Sequence, residues 1–286
     1  MTQGQMIKYQ VQPQSVQLGG MPILRLLPFA GQTTIGPWIF FDHFGPKQFS
    51  MHQGVDVPPH PHVNLATVTY LFEGEILHRD SLGSKETITA GAINLMVAGR
   101  GIAHSERTPA KLRQQTHSVH GIQLWQALPD HIEECDPAFY HYPAQDLPQF
   151  HEGQVEVELL MGQAYGHTSP VITFCDTLYM KLKLPAQADI SLPQQEELAL
   201  YVLEGEVCVD GQKVQPKQLI ILQEQAKVKV QANTFAKLLV LGGAKMPPRF
   251  MAWNFVASQK ARLDQALDDW QQGKFAPVID DPDTLV

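Results

Sequence analysis

The sequence predicts an all-β chain folded as two copies of one domain and followed by a short C-terminal helix. Three observations predict it. Glycine and proline occur 21 times each while only 17% of the 286 residues are charged, a balance that favours strands joined by many turns over a helical bundle. Short alternating or continuous apolar segments recur between the turns, as in Leu65-Ala66-Thr67-Val68-Thr69-Tyr70-Leu71-Phe72 and Leu219-Ile220-Ile221-Leu222. Finally, Tyr70-Leu71-Phe72-Glu73-Gly74-Glu75 returns in pattern as Tyr201-Val202-Leu203-Glu204-Gly205-Glu206, and this self-similarity at an offset of 131 residues implies duplication. The expected domains are 1–130 and 131–286.

The first half opens with strands over 7–29, interrupted by Gly19-Gly20, with Ile23-Leu24-Arg25-Leu26-Leu27 in the core. Trp38-Ile39-Phe40-Phe41 reads as a buried strand ending in the turn Asp42-His43-Phe44-Gly45-Pro46, where Asp42 and His43 are expected to hydrogen-bond each other. Leu65–Phe72, Ile76–Asp80, Ile88–Gly91 and Ile93–Val97, separated by Glu73-Gly74-Glu75 and Ser81-Leu82-Gly83-Ser84, have the spacing of an antiparallel meander. Arg79 and Arg100 read as ion-pair partners at strand ends, and His78 as a polar strand residue.

His117 to Leu128 forms a further strand, with Ile122 and Leu124 on one face and His117, Gln123 and Trp125 on the other, so that some of these line a pocket. Residues 129–154, with Pro129, Pro137, Pro143 and Pro148, connect the halves, with a short helix expected around His131–Cys135. Near the C-terminus, Ser258 is placed to cap a helix running to about Gln272. Leu263, Ala266, Leu267 and Trp270 share its apolar stripe and Gly273 stops it. Residues 277–286 read as an extended strap.

Composition excludes several classes. A net charge of −8 and an isoelectric point near 5.8 argue against the basic face that direct nucleic-acid binding needs. Cys135, Cys175 and Cys208 have neither disulfide-like nor metal-like spacing and fit a reducing compartment. No apolar run follows Met1-Thr2-Gln3-Gly4-Gln5, and no segment approaches the length of a membrane span. Cytoplasmic residence is the expectation.

The chemistry is concentrated in residues 57–106. Pro59-His60-Pro61-His62 and Ile102-Ala103-His104-Ser105-Glu106 bracket a hairpin-like excursion that leaves and returns. On a strand, residues i and i+2 share a face, so His60 with His62, and His104 with Glu106, each present two groups to one side. Three imidazoles and one carboxylate suit a first-row divalent metal and leave two positions open on an octahedral ion. Eight of the twelve histidines fall between His43 and His120. The offset of 131 puts Ser191 and Pro193 where His60 and His62 stand in the first copy, and no histidine follows His167. The second copy therefore cannot rebuild the site.

Two tandem barrels with His-x-His in the first resemble the cupin superfamily of double-stranded β-helix, or jelly-roll, barrels. Several stretches narrow the resemblance to the pirins: Phe41-Asp42-His43-Phe44-Gly45-Pro46, Pro58-Pro59-His60-Pro61-His62, His78-Arg79-Asp80-Ser81-Leu82-Gly83, Ala98-Gly99-Arg100-Gly101-Ile102-Ala103-His104-Ser105-Glu106 and His120-Gly121-Ile122-Gln123-Leu124-Trp125. Trp253-Asn254-Phe255-Val256 resembles one branch of pirin-like proteins. The resemblance implies a bicupin whose N-terminal barrel holds one iron through His60, His62, His104 and Glu106, other divalent first-row ions competing for the same ligands. It implies quercetin 2,3-dioxygenase activity, with a flavonol or related enol and dioxygen as substrates and Glu106 as both ligand and base. It equally implies the alternative known for other pirins, an iron-dependent, redox-responsive regulator that binds a protein partner. After the second histidine, many pirins carry Arg-Gly-Phe-Glu where this chain has Val63-Asn64-Leu65-Ala66.

Overall fold

A computed structural model describes residues 6–18, 20–31 and 34–285. Strands form where the sequence places β-branched and aromatic residues between turn formers. In chain order the first twelve are β1 (Ile7–Val11), β2 (Gln14–Leu18), β3 (Met21–Leu27), β4 (Trp38–Phe49), β5 (Asp56–His62), β6 (Leu65–Glu73), β7 (Glu75–Asp80), β8 (Lys85–Thr89), β9 (Ile93–Val97), β10 (Ile102–Arg107), β11 (His117–Ala127) and β12 (Ala138–Tyr142). The described residues divide into two compact units, one made of those within 15–27, 39–144 and 247–285, the other of those within 6–14, 28–38 and 145–246. Packing thus differs from a cut at residue 130. The strand β1 belongs with the second repeat, and the C-terminal helix and tail belong with the first.

The unit that carries the histidines is a sandwich of two antiparallel sheets. The larger runs β12-β9-β6-β11-β4-β3-β2, the smaller β5-β10-β7-β8. Residues Leu65 to Leu71 of β6 and all five residues of β9 are buried, as expected for central strands covered on both faces. The C-terminal segment packs on this unit through a short hairpin, Phe250–Ala252 paired with Phe255–Ala257, and α1 (Lys260–Gln271). Phe255, Ala257, Leu263 and Ala266 bury themselves around Val63. Gly273, at φ +66°, follows the helix, a left-handed position that glycine adopts freely. Ser258 does not cap α1. Its hydroxyl and backbone N–H instead donate to the two carboxylate oxygens of Glu133, at 2.7 and 3.0 Å. Around His131–Cys135 the chain makes successive turns in place of the expected helix, because Pro129 and Pro137 leave too few residues to propagate one.

The second unit repeats the sandwich. Its large sheet orders β1, Leu219–Leu222, Glu197–Glu204, Ala236–Gly243, Thr177–Leu184, Val155–Met161 and Gln149–Glu152. Here the interior is filled by Met180, Leu182, Leu200, Val202, Ile220, Leu238 and Val240, all buried. Each such side chain contributes about 1.5–3 kcal/mol by leaving water. Ser191 sits on the edge strand of its small sheet.

Candidate metal centre

Register brings the two histidine pairs together. The strands β5 and β10 run antiparallel with His104 opposite His60 and Ile102 opposite His62. Pro59 and Pro61 are tolerated because β5 is an edge strand, where a missing N–H costs no ladder bond. The imidazole ligand atoms of His60, His62 and His104 all lie within 4.8 Å of one another. Glu106 stands outside this cluster while lining the same cavity. Along β10 the pairing with β7 is regular from His104 to Arg107, so Glu106 keeps the face of His104; the register shift against β5 puts the extra residue on β5, between Val57 and His60.

The other ring nitrogens explain why this cluster suits a cation. His60 Nδ1 lies 2.8 Å from the carbonyl oxygen of Pro58, and His62 Nδ1 lies 3.1 Å from that of Asn254. A carbonyl only accepts, so each Nδ1 carries the proton and each Nε2 keeps a lone pair. His104 is set by a relay. Asp80 Oδ2 accepts from His78 Nε2 at 3.1 Å, and His78 Nδ1 then faces His104 Nδ1 in a longer contact of 3.5 Å. Asp80 Oδ1 is anchored by the backbone N–H groups of Leu82 and Ser84, each at 2.9 Å. Burial opposes the Asp80 carboxylate, but hydrogen bonds from His78 and Ser84 outweigh it and hold its pKa below the ordinary value. His104 Nε2 is left buried with no protein partner, an orphan that a metal ion would satisfy.

Burial pushes all three histidines away from the charged form. His60 falls from 6.5 to about 4, and His62 and His104 fall well below 6.5, with neighbouring histidines adding to the effect. They are neutral, hence ligand-ready, at pH 7. Burial alone raises Glu106 to about 7.

The cluster opens on a cavity of about 510 Å³ between the two sheets of its unit. Across from the histidines, β3, β4 and β11 contribute Arg25, Phe40, Asp42, Gln123 and Trp125. Arg25 donates to both Asp42 oxygens at 2.8 Å and lies 4.5 Å above the ring of Phe40, which stacks on Trp125 at 4.1 Å. Gln123 Oε1 accepts the Thr69 hydroxyl at 2.8 Å. The pocket-lining expectation thus holds for Gln123 and Trp125. His117 instead stacks on Phe49.

Asp42 and His43 are not partners. Successive strand residues face opposite sides, so Asp42 turns to Arg25 while His43 Nε2 meets His120 Nε2 at 2.7 Å. Arg100 pairs with Asp136 as expected; Arg79 makes no ion pair among the described residues. Sequence reasoning missed three contributors: the His78–Asp80 relay, the carbonyl of Asn254, and Trp253, which also lines the cavity. The first had a readable signal, since His78-x-Asp80 has the same two-residue spacing as His104-x-Glu106.

Two cupin barrels, one with a three-histidine cluster in its cavity and the other filled, define a bicupin. The chain belongs to the pirin family. The Pirin family model matches residues 21–126, and the Pirin C-terminal cupin domain matches 178–276. A pirin-like protein of Caulobacter vibrioides is 40% identical over 262 residues, 90% of each chain. Pirin-1 of Arabidopsis thaliana is 30% identical over 237 residues, 79% of this chain and 80% of its own. The crystal structure of quercetin 2,3-dioxygenase from Acinetobacter baumannii superposes with a TM-score of 0.90 at 32% identity, covering 98% of this chain and 94% of that one. Among the described residues no helix is long and apolar enough to cross a membrane.

Proposed function

We propose that this chain is a mononuclear non-haem iron dioxygenase acting on quercetin-like flavonols or related enols, with the metal held by His60, His62, His104 and Glu106. The observation that carries this reading is the set of tautomers: acceptors or a relay behind each imidazole turn its Nε2 lone pair toward one point. The likeness to a quercetin 2,3-dioxygenase over nearly the whole chain supports the substrate class. Ferrous iron bound there supplies Lewis acidity and a one-electron couple for dioxygen chemistry.

The protein's own groups do the rest. Glu106, buried and lining the cavity beside the histidines, is placed to take the proton of the substrate hydroxyl. The stacked Phe40–Trp125 wall excludes water and receives a planar ring.

The test is anaerobic reconstitution with ferrous iron, followed by oxygen uptake and carbon monoxide release on adding quercetin. Uptake that disappears in His60→Ala supports the reading. Glu106→Gln is expected to retain some metal and lose turnover; full activity in that variant would remove Glu106 from its role as base. No uptake by protein holding one iron per chain overturns the dioxygenase reading in favour of a redox-responsive regulator, to be pursued by a partner search in both oxidation states.

A further inference from the structure

The hairpin formed by Phe250–Ala252 and Phe255–Ala257 leaves a loop of only two residues, Trp253 and Asn254. Trp253 has φ +52°, the left-handed region that the first position of such a loop commonly reserves for glycine. A large aromatic residue therefore occupies a backbone position that disfavours any side chain. Trp253 nevertheless stays 50% exposed. Trp253 also belongs to the wall of the cavity of the histidine cluster. Its ring is held edge-on to Phe255 at 5.3 Å and tilted against Trp270 at 5.2 Å. The next residue, Asn254, supplies the carbonyl that orients His62, so the loop is keyed to the metal centre.

We infer that Trp253 is a specificity-determining residue, an aromatic cover contributed by the C-terminal segment that receives the face of a planar conjugated ligand in the cavity. Strain at a non-glycine residue persists where the surroundings fix it, and such residues concentrate at ligand sites. The chemistry of the walls selects the ligand class: Phe40 and Trp125 offer a second aromatic surface, and aromatic faces favour flat π-systems over aliphatic chains of equal size. The inference rests on the proposed function for its choice of a flavonol as probe.

The experiment is quercetin binding to the full-length zinc-loaded protein, in which no turnover occurs, comparing wild type with Trp253→Gly and Trp253→Phe by calorimetry. Glycine suits φ +52°, and thermal unfolding and zinc titration establish that each variant is folded and zinc-saturated before quercetin is added. The expected result is a rise of about tenfold in the quercetin Kd for Trp253→Gly, largely restored by Trp253→Phe. A Kd within about twofold of wild type in Trp253→Gly, or no saturable quercetin binding by the wild-type zinc protein, overturns the inference. Oxygen uptake by the wild-type iron protein judges the dioxygenase reading separately. A protein that binds quercetin through Trp253 without consuming oxygen keeps this inference and removes that one.

Discussion

The Nδ1 of His62 lies 3.1 Å from the backbone carbonyl of Asn254, a residue 192 positions further along the chain. The C-terminal segment is thereby part of the candidate metal centre. Its anchor is Phe255, fully buried, stacked on Phe275 and bridged to Val63, the neighbour of His62.

Phe255→Ala is expected to cost about 3–5 kcal/mol through the cavity it leaves. It should also release the Asn254 carbonyl and weaken metal binding by roughly 10- to 100-fold. Thermal unfolding of the metal-free protein and zinc competition against a chelator measure the two effects. Phe255→Leu, which keeps most of the volume, is expected to recover most of both; unchanged zinc affinity in the alanine variant would detach the C-terminal segment from the metal centre.

The Asp80–His78–His104 relay makes a separate prediction. Asp80→Asn can present an amide N–H to His78 Nε2, which favours the tautomer that turns a proton toward His104 Nδ1. The competing tautomer of His104 then carries its proton on Nε2 and cannot ligate. Metal affinity should fall by about tenfold or more, while the cavity wall on β11 is untouched. Equal zinc affinity in Asp80→Asn and wild type would show that His104 is oriented without the relay.

How much of this was legible in the sequence follows from where each interaction is encoded. His60, His62 and His104 could be assembled on paper because strand periodicity fixes which side chains share a face, and β10 does return opposite β5. Glu106 shares the face of His104, as their two-residue spacing implies, whereas the extra residue of β5 between Val57 and His60 leaves no mark in such a repeat. Asn254 acts through its carbonyl, a group that every residue carries, so composition gave no hint of it. The joining of β1 to the second repeat was equally silent, since the alternation in Ile7–Val11 specifies a buried face without naming the strand it meets.

Acid should destabilise the metal-free protein. In the unfolded chain these imidazoles titrate near 6.5, whereas folded His60 is protonated only near pH 4, and His62 and His104 are also shifted well below 6.5. The unfolded state then binds more protons in this window. The stability tied to these histidines is complete above about pH 6.5 and is lost as pH falls toward 4, roughly 3 kcal/mol for His60 alone. Glu106, raised from 4.5 to about 7, acts in the opposite sense, its burial favouring the fold less as pH rises from 4.5 to 7. One carboxylate offsets about one histidine and leaves the other two unopposed. The melting temperature of metal-free protein is expected to drop between pH 6.5 and 4.5; a flat profile would contradict the neutral, buried state of the cluster.

Gln123 yields the last prediction. The Thr69 hydroxyl donates to its Oε1 at 2.8 Å, which fixes the carboxamide so that the oxygen is engaged within the sheet. Among the described residues no other protein group bonds this amide, and Gln123 lines the cavity, so its NH₂ is available as a donor to a ligand oxygen. Gln123→Leu keeps the approximate volume and removes that donor, and it leaves the Thr69 hydroxyl without its acceptor. Loss of one neutral hydrogen bond to a ligand corresponds to about 0.5–1.5 kcal/mol, or up to roughly tenfold in affinity. Zinc affinity should not change, because Gln123 touches none of the three imidazoles through a hydrogen bond. Quercetin binding to the zinc-loaded variant, set against 3-deoxygenated and other flavone analogues that lack single hydroxyls, identifies the oxygen involved: the analogue missing it binds wild type and Gln123→Leu equally. If every analogue loses the same factor in the variant, Gln123 shapes the wall without reading a ligand group.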